Sequence, residues 1–483
     1  MSSLDHSFDW KGFSFFLNLA ALCLAVGMGG HYAWTYAKTL MPSAPTTLVA
    51  ETVPHIEKTS AATLSSTTPQ RIINSLTIAD TIPETGKFIA ADLVAMKLST
   101  YENGQLVAEY PILKKGRPGT PWETPSGFYA IQTKEQIHFS TIGHVYMPYS
   151  MQFYGNYFIH GWTYYPDGTP VSASFSGGCI KVSTDDAEKI FAFADVGTKV
   201  FVYDTKQTET LPSLTLKSTS PPPIAAPAYL VADIDTGDVF TEQHAGDVRP
   251  IASVTKLMTA LVANEIISLD KKVTVEEGYL VNPPNPASTA QKSFLVDDLF
   301  YPLLMQSSNA IADSLASYYG KHGFINWMNT TAQALDMVST HFADASGILP
   351  DNTSTPDDLF RLATYLSNKK SFVLAITRTQ TKTITADDGS TYSIQNVNAP
   401  ADFSPFDGGK VGHTSAAADT MVSVLSFKAG TSTRRVAVIV LGSDNQARDT
   451  AELARWITST AIDTSEAACV SCGTPPQYRK IQL

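Results

Sequence analysis

The stretch HGWTYYPDGTPVSASFSGGCIK, residues 160–181, decides how the first half of this chain folds and reacts. It opens on His160-Gly161, passes through a polar, turn-rich insert, and closes on Ser176-Gly177-Gly178-Cys179 followed by Ile180 and Lys181. A thiol becomes an effective nucleophile once a base takes its proton, and a histidine within hydrogen-bond reach does this. Gly177 and Gly178 permit a tight turn and leave peptide N–H groups to face a developing oxyanion. In isolation a Cys/His pair more often marks a buried thiol near an unrelated histidine. Here the flanking segments weigh against that.

The stretch resembles the signature of the L,D-transpeptidases of YkuD type: H-G, a variable insert, then S-H-G-C-I/V-R. The likeness extends over about residues 87–205. Residues 88–110 (FIAADLVAMKLSTYENGQLVAEY) resemble the family's opening hairpin, two strands around Asn103-Gly104. Residues 124–129 (TPSGFY) match its T-P-x-G-x-Y/F turn, and Met147-Pro148-Tyr149-Ser150-Met151 leads into Ile159-His160-Gly161 as the family does. The resemblance implies a β-rich domain in which Cys179 is the nucleophile and His160 the base. It also implies that Ser176, Gly177, Gly178 and Lys181 line the substrate. Two positions depart from the family: Gly177 stands where a second His is usual, and Lys181 where Arg is usual. Lysine keeps the charge and loses the bidentate fork.

A chain of 483 residues has room for two globular domains and linkers. A formal net charge of −11 argues against nucleic acid as a partner. No His/Cys/Asp/Glu spacing reads as a metal site and no dinucleotide fingerprint is present, so neither metal nor cofactor is expected. Residues 12–34 are uncharged, largely apolar and long enough to cross a bilayer as a helix. They form either a cleavable export signal or a retained membrane anchor; the flanking Tyr32, Trp34 and Tyr36 favour the anchor. The spacing thus divides the chain into an anchor or signal (1–38), a Thr/Ser/Pro/Ala-rich flexible spacer (39–86) and the first domain (87–205). A Pro-rich linker (206–228) follows, expected to stay extended and hold two folded units apart. Then come a second domain (229–460) and a polar tail (461–483), whose Cys469 and Cys472 could form a small loop disulfide, pair between chains or sit in a disordered terminus. Cys179 has no partner cysteine within its own domain, as a free nucleophile requires.

The second domain carries its own chemistry in Ile251-Ala252-Ser253-Val254-Thr255-Lys256. Three residues apart on a helix, Ser253 and Lys256 share a face, and a buried lysine loses basicity and can accept a serine proton. Such a pair alone recurs by chance. Its company is Ser307-Ser308-Asn309 at the start of a helical pattern, and Lys410-Val411-Gly412 in a strand-like setting. The order S-x-x-K, S-x-N, K-T/S-G is that of the penicilloyl-serine transferases. Residues 229 to about 457 resemble the D-alanyl-D-alanine carboxypeptidases among the low-molecular-mass penicillin-binding proteins, with further matches at Asp344-Ala345-Ser346-Gly347 and Thr355-Pro356-Asp357. The resemblance implies Ser253 as nucleophile, Lys256 as base, Ser307 and Asn309 as proton relay and substrate contact, and Lys410 with Gly412 at the substrate carboxylate. Val411 departs from the usual Thr or Ser, and His413 lies on the same strand face.

The reading is therefore a multidomain chain: an N-terminal transmembrane helix, a β-rich L,D-transpeptidase-like domain, and an α/β domain like the serine β-lactamases and penicillin-binding proteins. The expected partners are peptidoglycan stem peptides, β-lactams as acylating inhibitors, and the membrane. The expected location is the cell envelope, with both domains in the periplasm.

Overall fold

The computed structural model describes residues 81–481, apart from Ile142, Pro212, Thr431 and the segments 173–175, 205–210, 218–219, 281–284, 286–287, 398–404 and 464–477. The expected membrane helix at 12–34, the spacer up to residue 80, and Cys469 and Cys472 lie outside the described residues. Among the described residues no helix is long and apolar enough to cross a membrane.

In the first domain, β1 (Lys87–Asp92), β2 (Lys97–Glu102) and β3 (Gln105–Pro111) are consecutive antiparallel strands. The segment read as one hairpin is thus three strands. Asn103 (φ 49°) and Gly104 (φ 79°) form the turn between the second and third, both left-handed as a tight hairpin requires. With β4 (Gly127–Ala130) and β9 (Lys199–Tyr203) they make a sheet of order β3-β2-β1-β9-β4. A second sheet holds β5 (Thr133–Ser140), β6 (Val145–Tyr154), β7 (Tyr157–His160) and the short β8 (Ile180–Lys181). Its last two strands are parallel and pair His160 with Lys181, which brings the two ends of the 160–181 stretch side by side. Helix α1 (Thr184–Phe193) follows, its N-terminus capped by Ser183, which accepts from Asp186 N. Ile89 and Leu98 from one sheet, Met151, Phe153 and Ile159 from the other, and Ile190 from the helix share one core.

The second domain is built on an antiparallel sheet. Its strands are β11 (Ala228–Asp233), β12 (Asp238–Gln243), β13 (Phe406–Thr414), β14 (Ala418–Ala429), β15 (Ser432–Ser443) and β17 (Arg479–Lys480), in the order β13-β14-β15-β11-β12-β17. Its central strands are covered on both faces, which is why β15 contains the unbroken apolar run VAVIVL. Helix α4 (Gln446–Thr460) covers one face with Leu453, Trp456 and Ile457. The other face packs on a helical layer whose centre is α2 (Thr255–Ile266), buried at every residue.

Two expected boundaries are corrected. Within the segment read as a linker, β10 (Leu214–Leu216) pairs with β16 (Ala461–Asp463), and Leu214, Leu216 and Ala226 are buried in the second domain's core. The apolar residues scattered among its prolines find a surface to cover, and that outweighs the stiffness of the segment. The tail likewise returns: β17 pairs with β12, and Ile481 is 4 % exposed.

Nor does the linker hold the two domains apart. Trp122 of the first packs against the core of the second, and Trp327 of the second against the core of the first. Tyr154 bonds Thr331 through its hydroxyl and meets Trp327 edge to face at 5.1 Å. Asn156 N donates to Glu265 O at 3.2 Å, and Lys370 Nζ donates to Glu123 O at 3.0 Å. The contact is a shared interior, with Tyr154, Glu265 and Lys370 all buried. Tyr154→Ala is expected to cost about 3–5 kcal/mol in urea unfolding of the whole chain, the ordinary range for losing a buried aromatic ring; a loss below 1 kcal/mol would mean that the domains do not depend on this contact.

Candidate active sites

The turn that carries Cys179 is closed from both sides. Ser176 Oγ accepts from Gly178 N at 3.3 Å and donates to Cys179 O at 3.2 Å. Gly178 N–H is therefore engaged within the loop. Thr124 Oγ1 donates to Gly178 O at 2.7 Å and accepts from Gly116 N at 2.8 Å, so the T-P-S-G turn buttresses the nucleophile loop. Gly178 has φ 102°, and a Cβ there would lie 2.3 Å from the Tyr157 ring, so only glycine fits. Gly177 lies half-buried beside it, with no side chain to take the place of the family's second His.

His160 is 2 % exposed at the end of β7, and its Nδ1 bonds Gly161 O at 2.6 Å. A carbonyl only accepts, so Nδ1 carries the proton and Nε2 is left as the basic nitrogen. The partly buried thiol makes no hydrogen bond to His160 among the described residues; Cys179 Sγ donates to Asn156 O at 3.7 Å. Burial pushes the thiol up to about 11, against a backbone hydrogen bond at Phe158 and the Lys181 charge, and pushes His160 down to about 4. The resting pair is neutral on both sides. Lys181, expected to meet substrate, is 3 % exposed: its ammonium donates to Thr163 Oγ1 at 3.1 Å and sits 4.8 Å from the Trp162 ring centre. It acts on the thiol through its field.

In the second domain Ser253 sits in a single 3-10 turn (Ala252–Val254) at the head of α2. Lys256 Nζ donates to Ser253 Oγ at 2.9 Å, Asn309 Oδ1 at 2.7 Å and Ser346 O at 2.5 Å. Burial lowers its pKa to about 7, opposed by the Asp344 carboxylate. Asp344 accepts from Ser346 N, Gly347 N and Leu349 N, fixing the loop whose carbonyl grips the lysine. The sequence displayed this Asp-Ala-Ser-Gly segment without revealing its task, which follows only from its contact with Lys256. Asn309 opens helix α3 (Asn309–Tyr319), capped by Ser308. Ser307, at φ 57°, is held in a left-handed turn that serine adopts at a cost. Among the described residues no hydrogen bond ties Ser307 to Lys256.

The third motif lies on β13, an edge strand of the sheet. A Cβ on Gly412 would lie 2.8 Å from Ser253 N, so the strand backbone runs directly past the nucleophile. Lys410 is fully buried and donates to Val411 O at 2.8 Å; burial, together with the neighbouring Lys256 charge, holds its pKa well below the usual lysine range. His413 points to solvent and bonds Asp419 at 2.7 Å.

The chain brings Ser253 within 2.9 Å of the buried Lys256 in one domain, and carries Cys179 and the buried His160 in the other. Residues 86–202 match the family model described as L,D-transpeptidase catalytic domain, and residues 215–445 that described as D-alanyl-D-alanine carboxypeptidase. The chain thus joins an L,D-transpeptidase catalytic domain to a D-alanyl-D-alanine carboxypeptidase domain.

Among curated relatives, it is 35% identical over 148 residues to a D-alanyl-D-alanine endopeptidase of Escherichia coli, covering 30% of this chain and 48% of that protein. It is 32% identical over 181 residues to a D-alanyl-D-alanine carboxypeptidase of a Streptomyces species, covering 34% and 61%. The chain spans about half the length of the first relatives it matches. The solved structure of the Streptomyces K15 DD-transpeptidase is 27% identical, with 49% of this chain and 98% of that chain covered and a TM-score of 0.43.

Because Lys256 must be neutral to take the Ser253 proton, acylation of Ser253 by benzylpenicillin is expected to rise with pH through about 7 and level off above it. Stopped-time labelling followed by mass analysis of the Ser253 peptide reads this; a rate that is flat from pH 5 to 9 would remove Lys256 as the base.

Proposed function

We propose that this chain is a peptidoglycan-modifying enzyme of the cell envelope with two successive acyl-transfer activities. The observation that carries it is the Ser253–Lys256–Asn309 cluster, a nucleophile 2.9 Å from a lysine that burial makes basic near neutral pH. In this reading Ser253 attacks the carbonyl of a terminal D-Ala-D-Ala bond as Lys256 takes its proton. Asn309 holds the lysine and the substrate, Ser307 lies at the leaving group, and Lys410 attracts the terminal carboxylate toward the edge strand at Gly412. Water then releases a tetrapeptide stem. Residues 12–34 serve as anchor or export signal.

At the other centre, the Cys179 thiol turns from Asn156 O to His160 Nε2, loses its proton and attacks the bond after the third residue of a tetrapeptide stem. The terminal D-Ala leaves as an amine carrying that proton. With Gly178 N–H engaged by Ser176, the Cys179 N–H faces the oxyanion. An amine of a neighbouring stem takes the acyl group and restores the thiol.

The relatives' names favour a second reading of the Ser253 domain, since the first of them are called endopeptidases. Cleaving an existing cross-link behind a D-Ala also leaves a tetrapeptide, so both readings deliver the donor that the Cys179 centre needs. Joining the centres on one chain raises that donor's effective concentration.

On pentapeptide-only muropeptides the intact chain is expected to form L,D-cross-links. Ser253→Ala should form none until tetrapeptide is supplied, and Cys179→Ala should stop at trimmed stems. Mass analysis of the products decides; cross-linking of pentapeptide by Ser253→Ala would refute the relay. Val411→Thr restores a hydroxyl beside the carboxylate site and is expected to raise tetrapeptide release by roughly tenfold per 1.4 kcal/mol recovered, read as kcat/KM.

A further inference from the structure

We propose that Glu265 and Lys370 of the carboxypeptidase-type domain are positioning residues for the Cys179 reaction: across the domain boundary they hold the Asn156–Tyr157 turn against which the thiol rests. The inference builds on the reading of Cys179 as a nucleophile.

Asn156 bridges the Cys179 thiol and the end of α2. Its N–H donates to Glu265 O at 3.2 Å, and its own carbonyl accepts from Cys179 Sγ at 3.7 Å. Gly155 precedes it at φ 45°, where a Cβ would lie 2.8 Å from Glu265 O; the turn is cut to seat on the end of α2. Lys370 controls the opposite side. Its Nζ donates to Tyr157 Oη at 3.3 Å, Pro121 O at 3.2 Å and Glu123 O at 3.0 Å. The Tyr157 ring and Trp122 O are the two walls that close on Gly178, next to the nucleophile. Both walls are thus tied to one fully buried ammonium, with Glu265 Oε1 4.0 Å away as its counter-charge. An interface needing only adhesion does better with apolar groups, because taking charges out of water costs free energy. Here the charges fix a geometry.

That geometry is sensitive to pH. Glu265 faces Lys370 and Tyr365 from its own domain and Tyr129, Tyr154 and Tyr157 from the other, with Glu123 also near Lys370. Burial raises its carboxyl to about 7, against the pull of Lys370 and of the Tyr154 and Tyr365 hydroxyls. Below that pH Glu265 becomes neutral, Lys370 loses the larger of its two counter-charges, and the grip on both walls loosens.

The test follows carbapenem acylation of Cys179 in the full chain by peptide mass, from pH 5 to 9, with benzylpenicillin labelling of Ser253 as the control. The wild type is expected to lose Cys179 acylation below an inflection near pH 7, and Glu265→Gln to lack that inflection. Lys370→Met should slow Cys179 acylation at least tenfold, and Lys370→Arg should recover part of it, both with Ser253 labelling unchanged. Rates and pH profiles equal to wild type would overturn the proposal. Should Lys370→Met fail to fold, Ser253 labelling is lost too, and Tyr157→Phe decides, since it removes only the acceptor hydroxyl: a wild-type rate there overturns the proposal. If wild type forms no carbapenem adduct, the nucleophile reading falls instead. Iodoacetamide alkylation of Cys179 then decides the positioning, by an inflection near pH 7 present in wild type and absent from Glu265→Gln.

Discussion

The structure depends on taking charged groups out of water along one helix. Helix α2 is apolar over most of its circumference and buried throughout, yet it carries Lys256 in its first turn and Glu265 in its last. Nine residues at 1.5 Å each put these groups about 14 Å apart. Each costs free energy to desolvate, and each is offset locally: Lys256 by Ser253, Asn309 and the Ser346 carbonyl, Glu265 by Lys370 and the surrounding tyrosines. The same rod therefore organises one nucleophile at its head and supports the seat of the other at its tail.

Desolvation also tunes both centres, in each case toward the neutral form. It lowers Lys256 into the range of a working base, keeps His160 an unprotonated imidazole, and keeps the Cys179 thiol protonated until a base meets it. A thiol stored this way resists adventitious oxidation, since reactivity follows the thiolate. Ser253 differs, because its Oγ already lies 2.9 Å from Lys256 Nζ. One pair is hydrogen-bonded in the structure, whereas the Cys179 thiol rests on Asn156 O.

Much of this was legible in the sequence where chemistry is local. Ser253 and Lys256 share a face because helical spacing places them there, and Ser183 caps α1 because its side chain reaches only the next turn. The pairing of the H-G and G-G-C-I-K ends was carried by the family resemblance, and β7 and β8 show its basis in parallel strand pairing. Less legible were the extra strand before Asn103, the strand inside the proline-rich segment, and the return of the tail to β12. The last two depend on a distant partner strand, and two or three residues carry no period of their own.

By itself the sequence named the candidate groups, the order of the domains, and the glycines before Cys179 that its turn requires. Only the tertiary structure decided that the domains share an interior. Glu265 and Lys370 belong to none of the motifs read in the sequence. Their significance arises from burial against Asn156, Tyr157 and the carbonyls of 121–123, residues more than a hundred positions away. Burial is a property of the whole packed surface, and the pKa values, the counter-charge and the contact to the thiol all follow from it.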